Sequence, residues 1–230
     1  MQATLPTLDQ FHAPGDTIAY HQHRAPYVAL VLEGGYEECG NRGRFFAEPG
    51  TILLHAAFDS HLDRFKQCRT RVLNLGISEL VPSWSFARVD NPDELVRIAE
   101  QSHTDAASLL LATALPLAAL HADWIDQLAA DLNVDPNLSL GIWARRHGLR
   151  AEAVSRGFKQ VFGISAARFA VETRVRQARR HILEQSLPLS DIAALTGFAD
   201  QAHMTRDLAR FSGESPGRLR REAAKKFKTR

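Results

Sequence analysis

Cysteine is nearly absent: Cys39 and Cys68 are the two in 230 residues. Two cysteines cannot build a disulfide framework, and this pair lacks the close spacing of metal ligands. They are read as unpaired thiols, with a redox-sensing pair as the alternative. Long apolar runs are missing too. The most apolar stretch, Ala106 to Leu120, is shorter than a membrane span, and His121, Asp123 and Asp126 follow it closely, so no helical span is expected. No basic-then-apolar signal pattern opens the sequence, and a cytoplasmic protein is expected. Acidic residues are scarce towards the end. From Asn137 to Arg230 there are 19 Lys+Arg against 8 Asp+Glu, a net of +11, whereas residues 1–136 hold 9 against 18, a net of −9. The overall charge of +2 hides this asymmetry, which points to an acidic module joined to one that binds polyanions. The four basic residues of the Lys225–Arg230 tail do not create it, because +7 remains without them. A basic face concentrates phosphate and steers association with nucleic acid, while a merely solvated basic surface is the bland alternative.

The pattern along the chain predicts an α+β protein in three parts: a small barrel (1–90), a helical linker or dimerisation region (91–133), and an all-α domain (134–230). Short apolar runs at Tyr27–Leu32, Thr51–Leu54 and Val72–Leu75, separated by turn residues such as Gly34-Gly35 and Pro49-Gly50, read as strands of a barrel or sandwich. Helices are predicted at Asp93–Gln101 with Asn91 as cap, at Thr104–Leu120 with Pro116 kinking or dividing it, and at Ala122–Leu132. Leu109, Leu110, Leu117 and Leu120 present more apolar surface than one helix buries alone; a homodimer is the sharper reading and packing on the barrel the other. The polar stretch Asn133–Asn137 is taken as the boundary.

The last part contains an internal duplication. Ala144, three residues, then Gly148-Leu149 is echoed by Ala193, three residues, then Gly197-Phe198 at an offset of 49. Val154-Ser155-Arg156-x-Phe158 is echoed by Met204-Thr205-Arg206-x-Leu208, and Gly163-x-Ser165 by Gly213-x-Ser215, both at an offset of 50. The residue types suit two helix-turn-helix units. The alanine lets two helices approach, the glycine supplies positive φ where the first helix stops, and the next apolar residue plugs the shared core. Val154 with Phe158, and Met204 with Leu208, would be buried at i,i+4 spacing, leaving the opposite face free. Val171, Val175, Ala178 and Ile182 mark an amphipathic helix between the units, with Arg168, Arg174, Arg176, Arg179 and Arg180 mostly off that stripe. Pro188 ends the segment, and Ser190 is the expected cap of the next helix. Two recognition helices about 34 Å apart would enter the major groove one turn apart.

Ala193 to Phe198, Asp200-Gln201-Ala202-His203, Arg206 and Gly213-x-Ser215-Pro216 resemble the second DNA-binding unit of the AraC/XylS regulators. Arg156-x-Phe158-Lys159, Gly163-x-Ser165 and the Arg174–Leu183 helix resemble the preceding part of the same domain. The resemblance covers about Leu138 to Arg221. It departs at Asp207, an acid near a surface expected to face phosphate, and at Ser212, where a bulky or basic residue is commoner. It implies that Glu152, Ser155 and Arg156 face bases from one recognition helix, and Gln201, Ala202, His203 and Arg206 from the other. Arginine can bind guanine in bidentate fashion, glutamine adenine, and glutamate can accept from cytosine. Ser165 and Ser215 lie where phosphates would be held. A structural role for Arg156 and Arg206, pairing with a neighbouring acid, is the competing reading, as is simple solvent exposure for Glu152 and His203.

Gly15, five residues, His21-Gln22-His23, three residues, Tyr27, six residues, Gly34 resembles the first cupin motif, except that Tyr27 stands where a glutamate is usual. Gly43, Pro49-Gly50 and His61 resemble the second more loosely. The resemblance implies a cupin-like sensory barrel in which His21, His23 and His61 are candidate ligands of a divalent metal, with Tyr27 beside them and His55 a further candidate. Alternate residues on a strand face the same way, so His21 and His23 can converge. Three imidazoles suit Zn²⁺, Fe²⁺ or Ni²⁺, but a polar effector pocket around His21, His23, Tyr27 and His61, or histidines with purely structural partners, fits the same residues.

With the resemblance, these observations imply an effector-responsive transcription regulator, an activator, with double-stranded DNA, a small molecule or ion, a second copy of the chain and RNA polymerase as expected partners, and no catalytic set. A cupin-type metal-binding protein or enzyme with an accessory DNA module is the alternative, and an architectural DNA protein a third.

Overall fold

The computed structural model describes residues 2–3, 8–77, 82, 84–118 and 123–228. By its internal contacts the chain divides into two compact units, Met1–Asp126 with Val161–Gly163, and Gln127–Gln160 with Ile164–Arg230. The division falls inside a helix, α3 (Trp124–Val134), rather than in the Asn133–Asn137 turn. The reason lies in the hydrogen bonds of that helix. The Asp131 carboxylate accepts from Trp143 Nε1 at 2.7 Å, and the Asn133 side chain accepts from Thr173 and Arg176, so its later turns belong with the C-terminal helices.

The first unit is built on two sheets. Its strands are β1 (Gln2–Ala3), β2 (Asp9–His12), β3 (Thr17–His23), β4 (Tyr27–Glu33), β5 (Tyr36–Gly40), β6 (Gly43–Ala47), β7 (Thr51–His55), β8 (Ser60–Phe65), β9 (Thr70–Gly76), β10 (Phe86–Arg88) and β11 (Leu115–Pro116). One sheet has the order β1-β3-β8-β5-β6 and the other β11-β10-β7-β4-β9-β2. All pairs are antiparallel except β1 with β3.

The unbroken apolar run of β4 has a direct cause. Tyr27, Ala29 and Val31 pack between the sheets with Leu53, Val72, Tyr36, Phe45, Ala47 and Phe65. Val28 and Leu30, on the other face, pack with Ile52, Leu54, Leu73 and Leu75 under two helices, α1 (Pro92–Ala99) and α2 (His103–Thr113). A strand buried on both faces loses its polar alternation. Each side chain of leucine size buried there contributes about 1.5–3 kcal/mol.

Asn91 caps α1 as expected, its side chain accepting from Glu94 N. The long helix expected to Leu120 is shorter: α2 stops at Thr113, and Leu115–Pro116 pairs with β10 instead of kinking a helix. The residue before a proline is driven to extended backbone, and the chain has already turned there, with Ala114 at φ −60° and ψ 127°. Half of the leucine surplus, Leu109 and Leu110, goes into the barrel side. Leu110 is fully buried, and Leu109 and Leu111 pack on the same core. Leu115 and Leu117 stay exposed, and Leu120 lies outside the described residues.

The second unit continues with α4 (Leu140–Arg146), α5 (Ala151–Phe162) as far as Gln160, α6 (Ala166–Glu184), α7 (Leu189–Leu195), α8 (Gln201–Ser212) and α9 (Pro216–Lys228). Val175, Ala178 and Ile182 of α6 are buried with Ile192, Ala193, Phe198, Met204, Leu208 and Leu219 in one core. Three α6 arginines turn out to be clamps within this unit. Arg174 lies over the Phe198 ring and reaches Asn137, Arg176 bonds Thr173 at 2.8 Å, and Arg179 bonds Glu214 at 3.3 Å. Ser190 does not cap α7; Pro188 occupies the N-cap position without a side-chain bond, and Ser190 Oγ turns to Asp191. Among the described residues no helix is long and apolar enough to cross a membrane.

Candidate nucleic-acid interface and histidine cluster

The two turns of the duplicated segment have the same hydrogen bonds. After α4, Gly148 N–H donates to Arg145 O at 3.2 Å and Leu149 N–H to Ala144 O at 2.9 Å. After α7, Gly197 N–H donates to Ala194 O at 3.2 Å and Phe198 N–H to Ala193 O at 2.9 Å. This is the Schellman ending of a helix, which needs left-handed backbone at its glycine. Gly148 has φ +67° and Gly197 φ +76°. The repeated alanine thus accepts the closing bond as well as allowing close approach.

Each turn delivers a second helix with one face down. Val154 and Phe158 of α5, and Met204 and Leu208 of α8, are all fully buried. Glu152, Ser155 and Arg156 are exposed on α5, and Gln201, Ala202 and Arg206 are exposed on α8. Neither Arg156 nor Arg206 has a hydrogen-bond or ion-pair partner among the described residues. His203 is different. Half-buried, it stands edge-on to Phe198, and its Nε2 lies 3.2 Å from Asp207 Oδ2 one turn along the helix. That pair accounts for the unexpected acid, which is drawn along the helix. Ser165 caps α6 by accepting from Arg168 N, and the Ser215 hydroxyl accepts from Arg218 N at the start of α9. Ser212 is buried, its hydroxyl returned to Leu208 O at 2.8 Å.

In the first unit, His21, His23, His55 and His61 meet between the sheets. A bulge in β3 arranges this. Thr17 pairs with Arg64 and Ile18 with Asp63, but His21 pairs with His61 and Gln22 with Ser60, so β3 holds one extra residue. Ile18 packs inward before the bulge, and His21 and His23 turn inward after it. His21 Nδ1–H donates to Ala19 O at 3.0 Å, which leaves its Nε2 to accept from His23 Nε2 at 2.8 Å. His61 Nε2 lies 3.4 Å from the Tyr27 hydroxyl, and His55 stacks on Tyr27 with centroids 4.3 Å apart.

Sequence reasoning missed the acids of this cluster. Glu38, 5% exposed, lies with its Oε2 3.3 Å from His61 Nδ1 and 3.6 Å from His55 Nε2; Asp63 Oδ1 lies 3.0 Å from His61 Nδ1. The signal was strand parity. Glu38 shares the inward face of Tyr36, and Asp63 that of His61 and Phe65. The electrostatics are divided. Burial and the neighbouring His61 hold His21 below its ordinary pKa, and burial with His61 and His23 holds His55 well below. Burial also pulls His61 down, but the Asp63 and Glu38 carboxylates outweigh it and leave His61 well above. Burial, with Glu38, keeps the Tyr27 phenol protonated far above its usual range, so Tyr27 supplies no anion where the cupin motif has a carboxylate. His21, His23 and His61 come within ligand reach of one another, but without an acid in that set the usual cupin quartet is not reproduced.

The paired turns and their buried and exposed faces define a double helix-turn-helix domain, the class that grips duplex DNA. A family of helix-turn-helix domains matches residues 143–222. The HTH-type transcriptional regulator GlxA of Rhizobium meliloti (strain 1021) is 32% identical over 80 residues, which cover 35% of this chain and 25% of that protein. The chain therefore matches about a quarter of that relative. The C-terminal domain of AraT, a response regulator from Geobacillus stearothermophilus, is 22% identical over 45% of this chain and 88% of that one, with a TM-score of 0.42. ToxT from Vibrio cholerae is 8% identical over 95% of this chain and 98% of that one, with a TM-score of 0.44. The C-terminal part of the chain thus matches a helix-turn-helix domain over residues 143–222.

Proposed function

We propose that the whole protein is an effector-responsive, sequence-specific transcription regulator, acting as an activator. The observation that carries this is the pair of equivalent turns, each presenting a helix with an arginine on its open face that has no partner among the described residues. Arg156, with Glu152 and Ser155, reads one major-groove segment; Arg206, with Gln201 and Ala202, reads the next, and His203 sits at the edge of that face. The name of GlxA, a transcriptional regulator, supports the regulatory role. The barrel interior at His21, His23, Tyr27 and His61 is the effector site, and a ligand there shifts the population of DNA-binding arrangements. The protein works as a homodimer joined through residues 91–133, where Leu115 and Leu117 are exposed, and RNA polymerase is a further partner.

The test is selection of binding sites from random DNA by the full-length protein at near-physiological salt. Two short motifs centred about one helical turn apart are expected. Salt-sensitive binding without enrichment, with or without candidate effectors, would mark an architectural DNA protein instead.

A further inference from the structure

We propose that Glu38, His55 and His61, backed by Asp63, form a buried site for one divalent transition-metal ion of the zinc class. This goes beyond the DNA-binding reading and does not depend on it. The spacing is the first reason. Ligand atoms about 2.0–2.2 Å from a tetrahedral ion lie about 3.3–3.6 Å apart. Glu38 Oε2 stands 3.3 Å from His61 Nδ1 and 3.6 Å from His55 Nε2. One ligand atom from each of the three residues falls within 4.8 Å of the others.

The second reason is unmet bonding. Glu38 Oε2 and His55 Nε2, on residues 5% and 2% exposed, form no hydrogen bond of good geometry; their contacts are the ion-pair distances to His61 and to each other. Leaving such atoms unmatched is costly, and a cation between them satisfies both. His21 and His23, by contrast, already bond each other through their Nε2 atoms. Charge is the third reason: two carboxylates, Glu38 and Asp63, stand beside His61 Nδ1 and balance a divalent ion.

Donor type sets the ion. Mixed imidazole and carboxylate ligands suit Zn²⁺, Co²⁺, Fe²⁺ or Mn²⁺. An all-oxygen cage for Ca²⁺ or Mg²⁺ is not present among these four residues, and Cys39, adjacent to Glu38, falls on the opposite face of β5 by strand parity. Asp63 Oδ1, 3.0 Å from the same His61 Nδ1, is the natural second carboxylate and fourth ligand.

The experiment uses chelator-stripped full-length protein titrated with Co²⁺, then with Zn²⁺ against a chromophoric chelator. One Co²⁺ per chain is expected, with the intense visible bands of a tetrahedral site and no thiolate charge-transfer band. Glu38→Gln and His55→Gln should each weaken Zn²⁺ by roughly 10- to 100-fold or more, the scale at which even supporting residues act. His21→Ala and His23→Ala should leave affinity unchanged. Circular dichroism checks that each variant folds; where one does not, the wild-type Co²⁺ spectrum decides. Absence of a stoichiometric tetrahedral spectrum would overturn the proposal. So would loss of binding in the His21 and His23 variants with the Glu38 and His55 variants unaffected, which would move the ion to the other histidine set.

Discussion

His21 lies directly opposite His61 across the β3–β8 pair because one extra residue in β3, between Ile18 and His21, turns the strand over. On its other side His61 faces Gly40 of β5. A side chain at Gly40 would stand 2.6 Å from Ser60 O and 2.7 Å from His61 Cβ, so the glycine makes room for the histidine. Gly40→Ala should therefore destabilise the protein by about 1–3 kcal/mol, the usual cost of overpacking. Urea unfolding checks this, as a lowered midpoint at constant slope. An unchanged midpoint would show that β5 and β8 separate freely and that the histidine cluster is loosely held.

The same bulge shows where the sequence is opaque. One added residue leaves no compositional mark, yet it decides whether His21 and His23 face the interior. Glu38 was hidden for a related reason: beside Glu37 it reads as polar surface, and its inward face emerges once the register with β8 is known. The α2 region misled because Ala106 to Leu120 is apolar throughout, and apolarity alone cannot separate a helix from a helix followed by an edge strand. The C-terminal turns were legible because their demands are local. Left-handed backbone selects glycine, the i,i+4 burial selects Val154, Phe158, Met204 and Leu208, and a duplication repeats both.

Thiol chemistry follows from the burial of the two cysteines. Cys39 is fully buried, and burial, with Glu37 nearby, pushes its thiol up to about 12, whereas Cys68 is exposed. A disulfide reagent at mildly alkaline pH should label one thiol per native chain and two after unfolding. Cys68→Ser should abolish native labelling. Fast labelling of both would show that Cys39 is reached from solvent and would revive a redox pair.

The paired turns should differ in their tolerance of alanine. At Gly148 an added methyl group would have nothing within 4 Å of it, so Gly148→Ala meets only the left-handed backbone cost of about 1–2 kcal/mol. At Gly197 the added carbon would also collide with the Asn137 side chain, which is held by Arg174 Nη1 at 3.3 Å. Gly197→Ala should therefore cost more, by an amount that Asn137→Ala in the same chain removes. Equal losses in urea unfolding would mean that Asn137 moves aside freely.

The open arginines make a prediction about DNA alone. Because Arg156 and Arg206 have no partner among the described residues, replacing either by alanine should leave thermal stability unchanged. Each should weaken binding to a selected site by about 1–3 kcal/mol, with little change on unrelated DNA, if it reads a base. Fluorescence anisotropy at fixed salt separates the cases: an equal loss on every sequence would assign the arginine to phosphate.

His203 should act through its neighbour. Its Nε2 lies 3.2 Å from Asp207 Oδ2, so removing it leaves an unpaired carboxylate on a helix that approaches phosphate. His203→Ala should weaken binding to all DNA sequences alike, by about 0.2–1 kcal/mol, the range of a half-exposed pair. Asp207→Asn alone should strengthen binding, because one repulsive charge is gone, and the double variant should recover the loss seen in His203→Ala. A histidine that reads a base gives the opposite pattern: the loss is confined to one position of the selected site, and Asp207→Asn does not restore it. The double-variant cycle, run at two salt concentrations, therefore decides whether His203 belongs to the reading surface or keeps an acid away from it.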